Sequence, residues 1–173
     1  MLEATLFEFA NKGNGYSTVN TLNLGGSQMP SNHELFFQNQ SFAVVGHTRA
    51  KSFPKLTFKG LKKLGKTVFA IDRSVDEIEG EKTFNDFSSL PQKVDAVVLE
   101  VPKEETENWI ASAADAGIKD VWIHMERETP EALDLAKQKG VNVRTGTCAV
   151  MYVTPGFSFH AIHRGIRKLM GNY

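Results

Sequence analysis

Phe42-Ala43-Val44-Val45-Gly46-His47-Thr48-Arg49 is the stretch that decides the fold. Four strand formers run into a glycine, then into a short polar loop. Pro54 and a helical pattern follow. A buried parallel strand that opens into a helix N-terminus leaves backbone N–H groups where a phosphate can sit. The segment therefore predicts an α/β domain with a nucleotide-type ligand. Gly46 permits a tight turn and a close backbone approach. Thr48 offers a hydroxyl, and Arg49 and Lys51 offer positive charge to phosphates. A plain strand-to-helix turn with solvated basic residues is the simpler alternative. The dinucleotide fingerprint G-x-G-x-x-G is absent, because positions 48 and 51 are Thr and Lys.

Working outward, the alternation continues. The pattern predicts a short helix over Glu34 to Asn39 and a first strand over Phe42–Val45. A helix from Pro54 to Leu64 is stopped by Gly65 in a left-handed conformation. The second strand is expected at Thr67–Ile71, with a helix or turn at Asp76–Glu81. The third, Ala96–Val101, is an apolar run broken only by Glu100. A helix from Glu104 to Ala116 turns Trp109, Ile110, Ala113 and Ala114 to one face. Val121–Ile123 is the fourth strand. Thr129 caps a helix from Pro130 that turns Leu133 and Ala136 inward. Val141–Val143 is the fifth strand, and a last helix is expected from Pro155 to Met170. Apolar strands alternating with helices imply a parallel sheet covered on both faces. The fold class is α/β, a Rossmann-like three-layer sandwich with a five-stranded, mainly parallel sheet. The expected strand order is 3-2-1-4-5. Residues 1–40 are read as a weakly ordered extension and residues 41–173 as the domain proper.

Composition bounds the function. The chain has 173 residues, 41% hydrophobic, with zero formal net charge and a pI of about 7.0. Neither a general nucleic-acid surface nor a membrane surface is indicated. Lys12 is the one basic residue among positions 1–40, against Glu3, Glu8 and Glu34, so the remainder is slightly positive. One cysteine, Cys148, excludes an internal disulfide. With no apolar run of membrane-spanning length and no signal-like start, a cytoplasmic protein is expected.

Candidate site residues sit in the loops after the strands. Asp72-Arg73-Ser74 follows the second strand. An acid there can bind the ribose of NAD, and Arg73 with Ser74 can meet a ribose phosphate such as that of coenzyme A. Pro102 and Lys103 follow the third strand and could wall an adenine ring or a pantetheine chain. Ile123 and His124 end the fourth. His124 with the nearby Glu126 could be an acid/base pair or part of a metal site. No metal-binding spacing is present, although His160 and His163 are one helical turn apart. Cys148 would need a base partner for catalysis, and spacing favours neither His124 nor His47. No catalytic residues are assigned.

Several of these segments together resemble the small CoA-binding domain family, which is similar to the CoA-binding domain of succinyl-CoA synthetase. The resemblance rests on Phe42 to Gly46, Asp76 to Phe84, Val94 to Val98, Val101-Pro102, Ala116 to Lys119 with Val121-Trp122, and Gly146 to Tyr152. It implies a Rossmann-like domain that binds CoA or an acyl-CoA through Gly46 to Arg49. Where that family often has Asn-Pro-Lys after strand two, this chain has Asp72-Arg73-Ser74. Lys103 replaces a second proline, and His124-Met125-Glu126 replaces a Gln-Pro-Gly-like turn. The alternatives are an NAD(P)-binding protein or oxidoreductase, a Cys148-dependent enzyme, and an interaction domain that has lost its nucleotide.

Overall fold

The computed structural model describes residues 31–154. Residues 1–30 of the expected extension and the helix expected from Pro155, with His160 and His163, lie outside the described residues, whereas positions 31–40 are described and carry a short helix.

A parallel sheet organises the chain. Its strands are β1 (Ser41–Gly46), β2 (Thr67–Ile71), β5 (Ala96–Glu100), β6 (Asp120–Ile123) and β7 (Asn142–Arg144). The helices are α1 (Asn32–Phe36), α2 (Phe53–Lys63), α3 (Lys103–Asp115), α4 (Pro130–Gln138) and α5 (Val150–Val153). A small hairpin of β3 (Glu77–Ile78) and β4 (Glu81–Lys82) follows β2. It turns through Glu79 and Gly80, both at positive φ, and so settles the helix-or-turn alternative at Asp76–Glu81. Among the described residues no helix is long and apolar enough to cross a membrane.

The sheet order is β2-β1-β5-β6-β7. This corrects the expected 3-2-1-4-5, because the third strand of the main sheet lies between the first and the fourth. Phe42 pairs with Ala96 on one side of β5, and Ala96 pairs with Asp120 on the other. The place expected for that strand, outside β2, is taken by Phe84. Its N–H donates to Ala70 O at 2.8 Å, and its carbonyl accepts from Asp72 N–H at 3.0 Å. The edge of β2 is thereby covered. The chain leaves β1 in one direction for β2 and returns past β1 to β5, so the switch point lies between β1 and β5.

Strand parity assigns each residue to a layer, since successive side chains point to opposite faces. Ala43, Val45, Val97, Leu99, Val121 and Ile123 form one buried cluster, which includes Ile110 and Ala113 of α3 and Ala136 of α4. Phe42, Val44, Ala96, Val98 and Trp122 form the other, with Phe36 of α1, Phe58 and Leu61 of α2, and Val153 of α5. One expectation about helix faces needs correcting. Leu133 is exposed while Ala132 is fully buried, so α4 is rotated by about one residue from the expected phase. On α3 the expected face holds: Ile110 and Ala113 are buried, and the partly buried Trp109 and Ala114 pack against the same cluster. Local signals held elsewhere: Thr129 accepts the Ala132 N–H at 3.1 Å, and Gly65 after α2 has φ +75°.

Gly46 is required by α2. A Cβ there would stand 2.2 Å from Pro54 Cγ and 2.7 Å from its Cβ. The proline ring is held by the helix backbone and cannot swing aside. Gly46→Ala is expected to cost about 1–3 kcal/mol, the range for overpacking a close contact. A urea midpoint that does not move would contradict this tight seating of α2.

Candidate functional site

The C-terminal ends of the parallel strands deliver the predicted site residues to one rim. His47 and Thr48 follow β1 and are half-buried, while Arg49 and Lys51 are exposed. Asp72, Arg73 and Ser74 follow β2, Pro102 and Lys103 follow β5, and His124 follows Ile123 at the end of β6.

Asp72 is the fastener of the first two loops. It is 2% exposed. One carboxylate oxygen accepts the Thr48 N–H at 2.6 Å. The other accepts the Ser74 N–H at 2.8 Å and the Ser74 hydroxyl at 2.6 Å. Ser74 Oγ in turn accepts the Arg49 N–H at 3.3 Å. Two of the loop N–H groups expected to face a phosphate therefore already have acceptors. The first turns of α2 and α3, which both begin at this rim, have no side-chain cap, so helix N-termini add backbone donors here.

Several basic residues matter to this rim or flank it. On α2, Lys55 and Lys59 pair with Glu79, and Lys62 pairs with Glu81. On the rim, Arg49, Lys51, Arg73 and Lys103 pair with no carboxylate among the described residues. Arg73 Nε donates to Asn85 O at 2.9 Å, and its guanidinium lies 5.6 Å from the centre of the Trp109 ring. Beside it is a cleft of about 300 Å³ lined by Arg73, Asp86, Glu105, Asn108, Trp109 and Ser112. A larger hollow of about 620 Å³ lies among Phe87, Lys93, Val94 and Ala116, where β5 begins and α3 ends. Open parallel sheets take ligands past the strand C-termini, so the smaller cleft is the better placed.

His47 and His124 separate clearly. His47 Nε2 is 2.9 Å from Glu105 Oε1, on the α3 side. His124 is turned to the α2 side, where parity places Glu100 as well. Its Nδ1 is 3.4 Å from Glu100 Oε1, an ion-pair distance without hydrogen-bond geometry. Glu100, rather than the exposed Glu126, is thus the carboxylate beside His124. The same Oε1 accepts the Thr57 hydroxyl at 2.8 Å. Burial alone would lower the imidazole's pKa. The neighbouring Cys148 side chain and the Glu100 carboxylate outweigh it and raise the value to about 9. Sequence reasoning left out Glu100, Thr57, Trp109 and Glu105. The one visible signal was Glu100 itself, a charge inside an apolar run.

Residues 40–154 match the model of a family described as CoA binding domain. The alpha subunit of acetate–CoA ligase [ADP-forming] II from Pyrococcus furiosus is 24% identical over 127 residues, covering 66% of this chain and 28% of that subunit. This chain thus corresponds to less than a third of that relative. A conserved hypothetical protein from Pyrococcus furiosus superimposes with a TM-score of 0.59 at 28% identity, over 64% of this chain and 97% of that one. The dinucleotide-forming acetyl-coenzyme A synthetase 1 of Ca. Korarchaeum cryptofilum, solved with phosphate and ADP, gives 0.51 at 25% identity. That match covers 60% of this chain and 25% of the synthetase.

Proposed function

The chain belongs to the CoA binding domain family, and on that premise we propose that it binds coenzyme A or an acyl-CoA non-covalently on the rim above β1, β2, β5 and β6. The observation that carries this reading is the gathering of cations at one end of the sheet. Arg49, Lys51, Arg73 and Lys103 all lie in loops after strand C-termini, without a carboxylate partner among the described residues. Coenzyme A carries a pyrophosphate and a ribose phosphate, the anions such a set would meet. The pyrophosphate is assigned to the uncapped first turn of α2 together with Gly46, His47, Thr48, Arg49 and Lys51. This shifts the expected contact away from the Thr48 N–H, which Asp72 holds. Arg73 and Ser74 would take the ribose phosphate. Pro102, Lys103, Ile123 and His124 would flank the adenine or pantetheine.

The dinucleotide alternative loses support at Asp72. An acid that grips a ribose must be reachable, and Asp72 is 2% exposed with its carboxylate turned to loop hydrogen bonds. We therefore read Asp72 as a scaffold residue, with the ligand's charge met by the rim cations.

Calorimetric titration of ligand-stripped protein with CoA, acetyl-CoA, NAD and NADP tests the reading. Saturable binding of the CoA species is expected. Arg49→Ala and Arg73→Ala should each lose about 1.5–3 kcal/mol, the worth of a hydrogen bond to a charged group. That corresponds to roughly a ten- to hundredfold weaker Kd. Absence of heat and of any thermal shift with every CoA species would overturn it. Binding of NAD or NADP alone would replace it with the dinucleotide reading.

A further inference from the structure

The cleft of about 300 Å³ beside Arg73 is bounded by Arg73 and Asp86 on one side and by α3 on the other. Its walls are held in place. Trp109 Nε1 donates to Glu105 Oε2 at 3.4 Å, and the Phe87 ring meets the indole edge to face, 5.7 Å between centres. Arg73 Nε donates to Asn85 O, and its guanidinium lies over the same indole. The Arg73 Nη groups make no hydrogen bond among the described residues. An indole and a guanidinium are both flat surfaces on which a nucleobase stacks.

The charges of the cleft disfavour a phosphate inside it. Against one arginine it holds two carboxylates, Asp86 and Glu105. Glu105 is committed to His47 and Trp109. Asp86 is committed on one side only. Its Oδ1 accepts the Ser88 hydroxyl at 2.7 Å and the Ser89 N–H at 2.8 Å, which keeps the carboxyl ionised, below its ordinary value. Its Oδ2 has no hydrogen bond among the described residues. Asn108 adds an amide with both a donor and an acceptor to the same cleft. A flat ring that carries an amino group suits this set, because a carboxylate only accepts. Adenine presents such an amino group at C6, where guanine and hypoxanthine present an oxygen.

We propose that this cleft selects the base of the bound nucleotide, with an adenine stacked on the Arg73–Trp109 pair and its amino group held by Asp86. The assignment rests on the CoA reading above, which puts the ribose phosphate on Arg73. Base and phosphate hang from one ribose, so a phosphate on the uncommitted Nη groups brings the base to the cleft wall. Pro102, Lys103, Ile123 and His124 are then left to the pantetheine arm. The rim cations supply charge without regard to the base, whereas Trp109, Asn108 and Asp86 decide which base is accepted.

Calorimetric titration of the whole protein with CoA, adenosine 3′,5′-bisphosphate and inosine 3′,5′-bisphosphate tests this. The two bisphosphates carry the same charge and differ only in the amino group. The adenosine compound is expected to bind and to compete with CoA. The inosine compound should bind about ten- to hundredfold more weakly, the worth of one hydrogen bond to a charged group. Trp109→Leu should weaken CoA and the adenosine compound by about tenfold or more, the scale of one lost base stack, and Trp109→Phe should restore part of it. Asp86→Asn is the sharper variant. Asn still caps the turn over Phe87–Ser89, and its amide can offer an N–H to the hypoxanthine oxygen. The preference for adenosine over inosine should therefore shrink or reverse, whereas a purely structural Asp86 would weaken both compounds alike. CoA binding with no preference between the bisphosphates and no loss in Trp109→Leu overturns the base site and leaves the CoA reading standing. A preference for the adenosine compound without CoA binding supports the base site and removes CoA as its source. Absence of binding by all three compounds overturns both.

Discussion

Trp122→Ala is expected to lower the free energy of unfolding by about 3–5 kcal/mol, the range for removing a large buried aromatic. A domain of this size has a total stability of roughly 5–15 kcal/mol, so the variant should sit near the limit of folding at physiological temperature. Trp122 is fully buried on β6, in the middle of the α2-side layer. Phe36, Phe37 and Tyr152 rings lie 5.4, 5.2 and 5.1 Å from it, centre to centre. They come from α1, the residue after it, and α5. The indole therefore joins both terminal helices of the described structure to the sheet. Its N–H donates to Thr147 O at 3.2 Å, one residue before Cys148. Trp122→Phe separates the two contributions. It keeps most of the ring contact but leaves the Thr147 carbonyl without its donor, at a cost of about 1–3 kcal/mol. Urea denaturation measures both, with Trp109 remaining as the fluorescent probe. Hydrogen exchange should quicken around residues 146–151 in the Phe variant. An Ala variant within 1 kcal/mol of wild type, roughly the effect of an ordinary substitution, would mean that the ring cluster does not hold these helices.

Much of this fold was legible because its signals are local. The apolar runs of β1, β2 and β5 need no partner to be recognised, and neither do Thr129 before Pro130 or Gly65 after α2. The sheet order is different in kind. Which side of β1 receives the third strand depends on where two crossovers settle, and β2 reads as equally apolar either way. In the structure the backbone of Phe84 closes the outer edge of β2, where a further strand would otherwise pair. Nothing in the residues around Phe84 announces that role. The exposed Leu133 shows a similar limit: on a short helix, Ala132 and Leu133 are adjacent, and a one-residue change of phase exchanges them.

The site was legible as a set of loops and much less so as a set of contacts. Arg49, Lys51, Arg73 and Lys103 reach the rim because strand ends place them there. Glu100 stood out in its strand, yet its partners Thr57 and His124 are 43 and 24 positions away. Spacing left His47 and His124 equal as partners for Cys148. Packing against Glu105 takes His47 to the opposite side of the sheet. Asp72 looked like a ligand-binding acid because its place after β2 is where such acids occur. Only the positions of Thr48 and Ser74 reveal that its oxygens are engaged.

That engagement makes Asp72→Asn the second large effect. In the wild type, the carboxylate receives hydrogen bonds from two backbone N–H groups and one hydroxyl. An amide offers one acceptor oxygen, and its NH₂ must then face a donor N–H. One loop N–H is left buried beside another donor, and the charge that strengthens the remaining bonds is gone. The expected loss is about 2–4 kcal/mol, one unsatisfied donor plus the weakening of charge-assisted bonds. The pH dependence has a defined sign. Burial would raise the Asp72 pKa, but the hydrogen bonds from Ser74 and Thr48 outweigh it and hold the group below 3.8. A carboxylate with a lowered folded pKa contributes stability that is fully present above its unfolded value. That contribution disappears as pH falls through the folded value. Wild-type stability should therefore decline below about pH 4, the unfolded range for Asp, and the decline should be shallower in Asp72→Asn. Asp86 and Asp95 are also held low by hydrogen bonds, so the acid limb shrinks without vanishing. Denaturation midpoints between pH 3 and pH 7, roughly the window these carboxylates span, give the comparison. Parallel limbs in the two proteins would show that Asp72 does not hold the loops as an anion. Its oxygens would then be available to a ribose after all, and the dinucleotide reading would regain its footing.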